Sequence, residues 1–229
     1  MDEIIKNKNI YIQYNSNVFS NFSNKLFNID YISKEGLIKS VMDGRGKALE
    51  LEYGGKSYFL KHYIRGGFIA KISYDRYIFN SLASTRAVKE YNFLNTMNNK
   101  GLPVPKAAAL QVITNHFTYK ADLITCKIEN EGTLYEFVKD NKMTRALWNA
   151  LSTTIEKFYQ ENVYHSDLNA KNIIIDKDNN FFLLDFDNSY FFYDKKLFTK
   201  SIFRLERSLK KIKNYNHEIQ NIVKKFASL

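Results

Sequence analysis

Three oxygen-bearing side chains in the second half of the sequence stand at spacings that suit phosphate and metal chemistry. Asp167 lies in a polar loop, Asn172 follows five positions later at the start of an apolar stretch, and Asp185 comes directly after a second apolar stretch. Carboxylate and amide oxygens are hard ligands, which suit a Mg²⁺ ion that also binds the phosphates of a nucleotide. Asn172 and Asp185 are therefore candidate metal ligands. Asp167 is the candidate group that orients a substrate hydroxyl and accepts its proton.

Two short apolar segments must position these side chains. Residues 173–175 and 181–184 are predicted strands, and the polar residues between them predict a tight connection. A hairpin of this kind brings Asn172 and Asp185 side by side. The segment 144–161, which precedes the loop, carries apolar residues at helical spacing and predicts an amphipathic helix.

This arrangement resembles the catalytic loop of protein-kinase-like enzymes, His-x-Asp-x-x-x-x-Asn, and their metal-binding Asp-Phe-Gly element. The matching residues are His165, Asp167, Asn172, Asp185 and Phe186. The resemblance implies an α+β, protein-kinase-like two-lobe fold with an antiparallel sheet N-lobe and a shortened helical C-lobe. We expect an N-terminal extension plus nucleotide-binding lobe at residues 1–126 and a helical catalytic lobe at 127–229.

Departures from the protein-kinase pattern indicate a different class of acceptor. Ser166 replaces the arginine that usually follows the histidine, and Asp187 replaces the glycine after Asp-Phe. The stretch after Asp187 contains no Ala-Pro-Glu element and is short for a platform that binds a peptide. A protein acceptor is therefore disfavoured, and a small or lipid-linked alcohol is favoured.

The first half of the sequence predicts an antiparallel meander, as expected for a nucleotide-binding lobe. Residues 37–42, 48–53 and 57–63 are predicted strands, and glycine-containing turns join them. Gly44 and Gly46 lie in the first turn. Glycines there either let the backbone approach the phosphates of a nucleotide closely or serve only to make a hairpin turn.

A lysine and a glutamate complete the implied nucleotide site. Lys61 lies on the third predicted strand, where the resemblance places a phosphate-binding lysine, and Glu90 lies on a predicted helix at 85–99. Glu90 is the candidate ion-pair partner of Lys61. The alternatives are an exposed cation on a strand and a solvated helix face. Two further strands are predicted at 107–113 and 117–126.

Further segments resemble the 3-deoxy-D-manno-octulosonic acid (Kdo) kinase family. They are HYIRGG at 62–67, STRA at 84–87, GLPVP at 101–105, HSDLNAKN at 165–172 and RLERSL at 204–209. The resemblance implies ATP-dependent transfer of phosphate to the 4-hydroxyl of Kdo on Kdo-lipid IVA, with ATP and Mg²⁺ as cofactors. It also implies a peripheral protein at the cytoplasmic face of the inner membrane, acting in lipopolysaccharide inner-core biosynthesis.

The charge balance agrees with an anionic partner. The 229 residues carry a formal net charge of +10, which suits both the Kdo-lipid IVA acceptor and an anionic membrane surface. Arg65, Lys71, Arg76 and Arg86 are candidate contacts to the carboxylate and phosphates of the acceptor, or else solvated cations. No apolar run is long enough to span a bilayer and the first residues are too polar for a signal peptide, so a cytoplasmic location is expected.

The predicted C-terminal helices carry cations beside an apolar stripe. Phe198, Ile202 and Leu205 belong to the stripe, and Arg204 and Arg207 lie beside it. Such a helix either lies on an anionic membrane or packs its stripe into a core with the charges in water.

Two other functions remain open from the sequence. Another small-molecule or sugar kinase of the same fold, such as a lipopolysaccharide heptose kinase or an aminoglycoside phosphotransferase-like enzyme, would use the same residues. A non-enzymatic basic module would bind nucleic acid with strong salt dependence. The sequence lacks the stacking-aromatic and basic motif of RNA-binding modules, so we expect no nucleic-acid partner and no obligate protein partner.

Overall fold

The computed structural model describes residues 1–19, 21–42, 48–65 and 74–214, together with Asn221 and Lys225. The chain divides into two compact units. The first comprises Met1–Asn95 and Lys106–Lys127, and the second comprises Thr96–Pro105 and Ile128–Leu229. The sequence places one boundary at 126/127, whereas the structure also assigns Thr96–Pro105 to the second unit. The reason is local pairing, because the Leu183 amide donates a hydrogen bond to the Pro103 carbonyl at 3.0 Å.

The first unit is built on an antiparallel sheet. Among the described residues its strands are β1 (Asp2–Asn7), β2 (Ile10–Asn15), β3 (Ile38–Met42), β4 (Ala48–Tyr53), β5 (Lys56–His62), β6 (Tyr77–Ile78), β7 (Ala107–Asn115) and β8 (Thr118–Cys126). The strand order is β1-β2-β7-β8-β5-β4-β3, and β6 pairs with β8. The predicted meander is thus present as β3, β4 and β5, and the two later predicted strands are β7 and β8.

The N-terminal extension covers one face of this sheet. After the β1–β2 hairpin, a 3₁₀ turn at Asn24–Phe27 and helix α1 (Ile29–Lys34) follow, and the Asn28 side chain caps α1. Phe19, Leu26 and Ile32 from this segment are buried against strand residues that include Leu60. Full burial of such side chains stabilises a fold by roughly 1.5–3 kcal/mol each. The extension therefore contributes a substantial part of the core of the first unit.

Helix α2 (Arg86–Asn99) contacts the other face of the sheet through its first turns. Successive residues of a strand point to opposite faces. Leu60 consequently packs into the core beneath the N-terminal extension, whereas Lys61 and Tyr63 contact Glu90 of α2. The alternation of side-chain direction along β5 therefore directs Lys61 toward Glu90.

The second unit combines helices with short strand pairs. Its described elements are β9 (Gly132–Thr133), α3 (Leu134–Lys139), α4 (Arg145–Gln160), β10 (Val163–Tyr164), β11 (Ile173–Ile175), β12 (Phe181–Leu183), β13 (Tyr190–Phe191) and α5 (Lys196–Leu209). The predicted helix at 144–161 is α4, which begins after the N-cap Thr144. An antiparallel sheet in one unit and predominantly helical structure in the other confirm the predicted α+β class. No helix within the described ranges combines the length and apolar character needed to cross a bilayer.

Candidate active site

The predicted catalytic loop joins β10 to β11, and His165 fixes its start from within the core. The His165 side chain is 2% exposed. Its Nδ1 accepts a hydrogen bond from the Asp167 amide at 3.1 Å, so the ring proton resides on Nε2, which donates to the Leu184 carbonyl at 3.0 Å. Burial lowers the pKa of His165 to about 4, so the ring is neutral at physiological pH. His165 thus ties the loop to the end of β12.

Asn172 joins the loop to the hairpin that follows it. Its side-chain Nδ2 donates to the backbone carbonyl of Asp167 at 2.9 Å, and its own carbonyl accepts from the Leu184 amide at 2.8 Å. The antiparallel register of β11 and β12, in which Ile173 pairs with Leu183, continues through this bond. Asn172 therefore lies opposite Leu184 and next to Asp185, as the hairpin prediction requires.

Asp185 occupies a strained backbone position directly after this pairing. Its φ is +60°, a left-handed conformation that costs a non-glycine residue roughly 1–2 kcal/mol. The turn leaves the Asp185 side chain exposed while Phe186 is buried, with its ring 4.6 Å from the His165 ring and 6.1 Å from Phe158. The turn therefore places the Asp185 side chain at the surface and the Phe186 ring in the core. Asparagine and aspartate tolerate this conformation better than most residues.

Three polar side chains of helix α5 contact the catalytic loop. Ser201 Oγ accepts from the His165 amide and donates to its carbonyl, and Ser208 Oγ accepts from the Ala170 amide at 2.9 Å. Arg204 Nη1 donates to the Ser166 carbonyl and lies 3.7 Å from Asp167 Oδ1. Spacings of three and four residues place Ser201, Arg204 and Ser208 on one side of a helix. These five contacts of α5 with the loop thus come from one face of the helix.

This role of α5 was not predicted from the sequence. Arg204 was predicted to face a membrane or water, and the apolar stripe of the helix had two interpretations. The structure buries Phe198, Ile202 and Leu205, so within the described part of α5 the stripe is core. The sequence signal for the role of Arg204 was Ser166, which stands where the protein-kinase pattern has an arginine. A loop that lacks its own arginine leaves Asp167 to receive a cation from another element.

Lys61 and Glu90 form the predicted ion pair in the first unit. Lys61 Nζ lies 3.0 Å and 3.3 Å from the two carboxylate oxygens of Glu90, which is 5% exposed. The buried Tyr63 hydroxyl donates to Glu90 Oε2 at 2.6 Å and so fixes the carboxylate. The Lys61 side chain keeps 25% of its surface exposed. The pairing is therefore present, whereas nucleotide binding by Lys61 and Glu90 stays a prediction. Gly44 and Gly46 lie outside the described residues.

The predicted acceptor-binding cations have several different environments. Arg65 and Arg86 place their guanidinium groups 4.9 Å and 5.0 Å from the centroid of the Tyr77 ring, and Arg65 Nε also donates to the Arg76 carbonyl at 2.6 Å. Arg76 itself is exposed. These stacking contacts hold Arg65 and Arg86 in place, and their binding of acceptor stays a prediction. Lys71 lies outside the described residues.

The hydrogen-bonded loop of the second unit and the Lys61–Glu90 pair of the first unit each contain the residues expected of a kinase, an enzyme that transfers phosphate to a hydroxyl group. Residues 33–226 match the lipopolysaccharide kinase (Kdo/WaaP) family, and the chain belongs to that family. The resemblance to Kdo kinases that the sequence motifs indicated is thereby confirmed, as is the prediction of an enzyme.

Named relatives extend over most of the chain. A 3-deoxy-D-manno-octulosonic acid kinase of Pasteurella multocida is 31% identical over 214 residues, which cover 90% of this chain and 89% of the relative. The kinase of the same name from Mannheimia succiniciproducens is 40% identical over 137 residues, or 58% of this chain and 57% of the relative. Among solved structures, the Cydia pomonella granulovirus kinase PK-1 gives a TM-score of 0.46 at 20% identity, covering 72% of this chain and 60% of that chain.

Proposed function

We propose that this chain is a Kdo kinase that uses ATP to phosphorylate the 4-hydroxyl of Kdo on Kdo-lipid IVA, in inner-core lipopolysaccharide biosynthesis. The observation that carries the catalytic part of the proposal is the loop in which Asp167 and Asn172 are hydrogen-bonded to each other and Asn172 pairs with the backbone beside Asp185. Membership of the lipopolysaccharide kinase family and the names of the relatives support Kdo as the acceptor.

Asn172 and Asp185 fit the requirements of a nucleotide-bound Mg²⁺. Nδ2 of Asn172 donates to the Asp167 carbonyl, so the atom that this side chain offers to a cation is its Oδ1. The exposed Asp185 supplies a carboxylate. One amide oxygen and one carboxylate, completed by water and phosphate oxygens, are an ordinary ligand set for this ion. Mg²⁺, when bound, offsets negative charge on the transferred phosphoryl group.

The remaining residues position and polarise the reactants. Lys61, fixed by Glu90 and Tyr63, supplies a partly exposed cation for the α- and β-phosphates of ATP. Asp167, with its side chain 59% exposed, orients the acceptor hydroxyl for attack and accepts its proton. Arg204 holds the backbone beside Asp167 and neutralises part of its charge. Phosphoryl transfer has a loose transition state, so positioning of this kind supplies most of the rate enhancement.

A lipid-linked acceptor places the enzyme at a membrane surface. We propose a peripheral location on the cytoplasmic face of the inner membrane, where ATP and the acceptor are both accessible. The net charge of +10 supports this location, because anionic lipids attract a basic protein.

Incubation of the protein with Mg²⁺, ATP and Kdo-lipid IVA, followed by mass spectrometry of the lipid, tests the proposal. The expected product gains one phosphoryl group, and fragmentation places this group on Kdo. Parallel reactions with a heptose-containing lipopolysaccharide core and with an aminoglycoside provide the comparison. If one of these acceptors is phosphorylated and Kdo-lipid IVA is not, the chain belongs to another branch of the kinase fold.

A further inference from the structure

Two large apolar side chains project from adjacent positions at one end of the sheet. Ile78 of β6 is 72% exposed, and Phe117, in the turn between β7 and β8, is 83% exposed. They are neighbours because Ile78 pairs with Thr118, and the Phe79 amide donates to the Phe117 carbonyl at 2.9 Å. We call Ile78 and Phe117 the apolar tip. Single exposed apolar residues are common, but two large ones at neighbouring backbone positions at the same end of the sheet indicate a contact surface.

The surroundings of the apolar tip are cationic. Residues 76–89 and 113–121 contain no aspartate or glutamate, but they contain Arg76, Arg86, Lys89, Lys120 and His116. The β1–β2 turn adds the exposed Lys8, because the Thr114 amide donates to the carbonyl of the next residue, Asn9, at 2.8 Å. Within the described residues, Asp75 precedes this segment as an acidic group, and it is paired with Lys120 at 2.6 Å. The tip therefore combines protruding apolar groups with an excess of positive charge.

We propose that the apolar tip docks the enzyme on an anionic lipid bilayer, with Phe117 and Ile78 inserted into the interface and the surrounding cations at the headgroups. This proposal rests on the proposed function, which gives the enzyme a lipid-linked acceptor. Apolar insertion and attraction of Lys and Arg to anionic lipid reinforce each other at a membrane surface. Charge complementarity favours lipid over a second copy of this chain, because two copies would oppose cation to cation.

The small size of the tip also favours a bilayer. A stable protein–protein interface buries roughly 1,200–2,000 Å² in total, far more than two side chains at a turn can supply. Phe117 and Ile78 can insert into a bilayer without a complementary pocket. Ile78 lies on a strand paired with β8, and Phe117 lies in the short turn that joins the paired strands β7 and β8.

Co-sedimentation with vesicles tests the apolar tip directly. The full chain should bind vesicles that contain phosphatidylglycerol and should bind pure phosphatidylcholine vesicles much less. The double variant Phe117→Ser/Ile78→Ser should bind the anionic vesicles at least about tenfold more weakly. Ile29→Ser is the matched control, because Ile29 is 57% exposed but stands beside Asp30 on α1. Equal binding by the wild-type protein and the double variant would overturn the proposal.

A tryptophan reporter supplies a second readout that does not depend on loss of function. The chain has one native tryptophan, Trp148, which is 4% exposed. The variant Phe117→Trp should show a blue shift and protection from an aqueous quencher on anionic vesicles, whereas Ile29→Trp should show neither. An unchanged Phe117→Trp spectrum contradicts insertion. A change from dimer to monomer caused by Phe117→Ser without lipid would instead assign the tip to an interface between copies.

Activity on two forms of the acceptor separates this proposal from the proposed function. The Phe117→Ser/Ile78→Ser variant should phosphorylate a soluble, delipidated Kdo acceptor at the wild-type rate and should lose activity on Kdo-lipid IVA embedded in anionic vesicles. Equal loss on both acceptors overturns the docking role. Failure of the wild-type protein to phosphorylate either acceptor refutes the proposed function, while vesicle binding still reports on the tip.

Discussion

Replacement of His165 by glutamine should remove a specific part of the acid sensitivity of the fold. The His165 ring is buried and neutral, and burial lowers its pKa to about 4 from an ordinary value near 6.5. Below pH 6.5 the unfolded chain binds a proton at this ring, whereas the folded chain does not until the pH approaches 4. The unfolded state therefore binds more protons in this window, and stability falls as the pH falls.

The size of the effect follows from the two pKa values. The difference between 6.5 and about 4 corresponds to about 3 kcal/mol over the whole window, of which about 2 kcal/mol is lost by pH 5. The charges of Asp185 and Asp167 favour the protonated ring and that of Arg204 opposes it, but desolvation is the largest cause of the shift. The stabilisation by neutral His165 is thus complete above pH 6.5 and lost toward pH 4.

Urea unfolding of the wild-type protein and His165→Gln at pH 7.5, 6 and 5 measures this contribution. Glutamine has no titratable group, and titrations elsewhere in the chain affect both proteins alike. His165→Gln should be less stable than wild type at pH 7.5, and the difference should shrink by about 2 kcal/mol at pH 5. A difference that stays constant between pH 7.5 and pH 5 would refute a neutral, buried His165.

Other predictions concern the residues that position the reactants. Glu90→Gln should lower kcat/KM for ATP by about tenfold or more, because Lys61 loses a buried carboxylate partner. Tyr63→Phe keeps the ion pair intact and should have a smaller effect in the same steady-state assay. Arg204→Ala should lower kcat by about tenfold to hundredfold with little change in the KM for ATP, and Arg204→Lys should restore part of it; an unchanged kcat would contradict the positioning role. Asp185→Asn should lower kcat at least about 10²-fold at ordinary Mg²⁺ and increase the Mg²⁺ concentration needed for half-maximal rate; a titration curve that coincides with wild type would remove Asp185 from the metal site.

Local sequence patterns sufficed to predict the hairpin of the candidate active site. Apolar runs on both sides of a polar turn define β11 and β12, and their register follows once the turn is placed. The strand β4 lies at the predicted residues 48–53, because apolar and polar side chains alternate there between two turns. The position of Lys61 opposite Glu90 likewise depends on strand alternation and on a helix whose limits the sequence indicates.

Features that depend on distant partners were not predictable in the same way. β1 is a polar edge strand, DEIIKN, whose residues are all exposed, so no hydrophobic pattern marks it. Ser201 and Ser208 are ordinary helix residues until the fold brings the catalytic loop to their side of α5. The assignment of Thr96–Pro105 to the second unit likewise rests on a backbone hydrogen bond to β12 that the sequence does not reveal.

The most direct test of the account is the activity of Asp167→Ala. Turnover of ATP with Kdo-lipid IVA should fall by about 10²- to 10⁴-fold, because the acceptor hydroxyl loses the group that orients it and accepts its proton. Binding of Mg²⁺-ATP, measured by calorimetry, should remain close to wild type, since Asp167 is not among the nucleotide-binding residues. Near-normal turnover by a folded Asp167→Ala protein would contradict the assigned catalytic role.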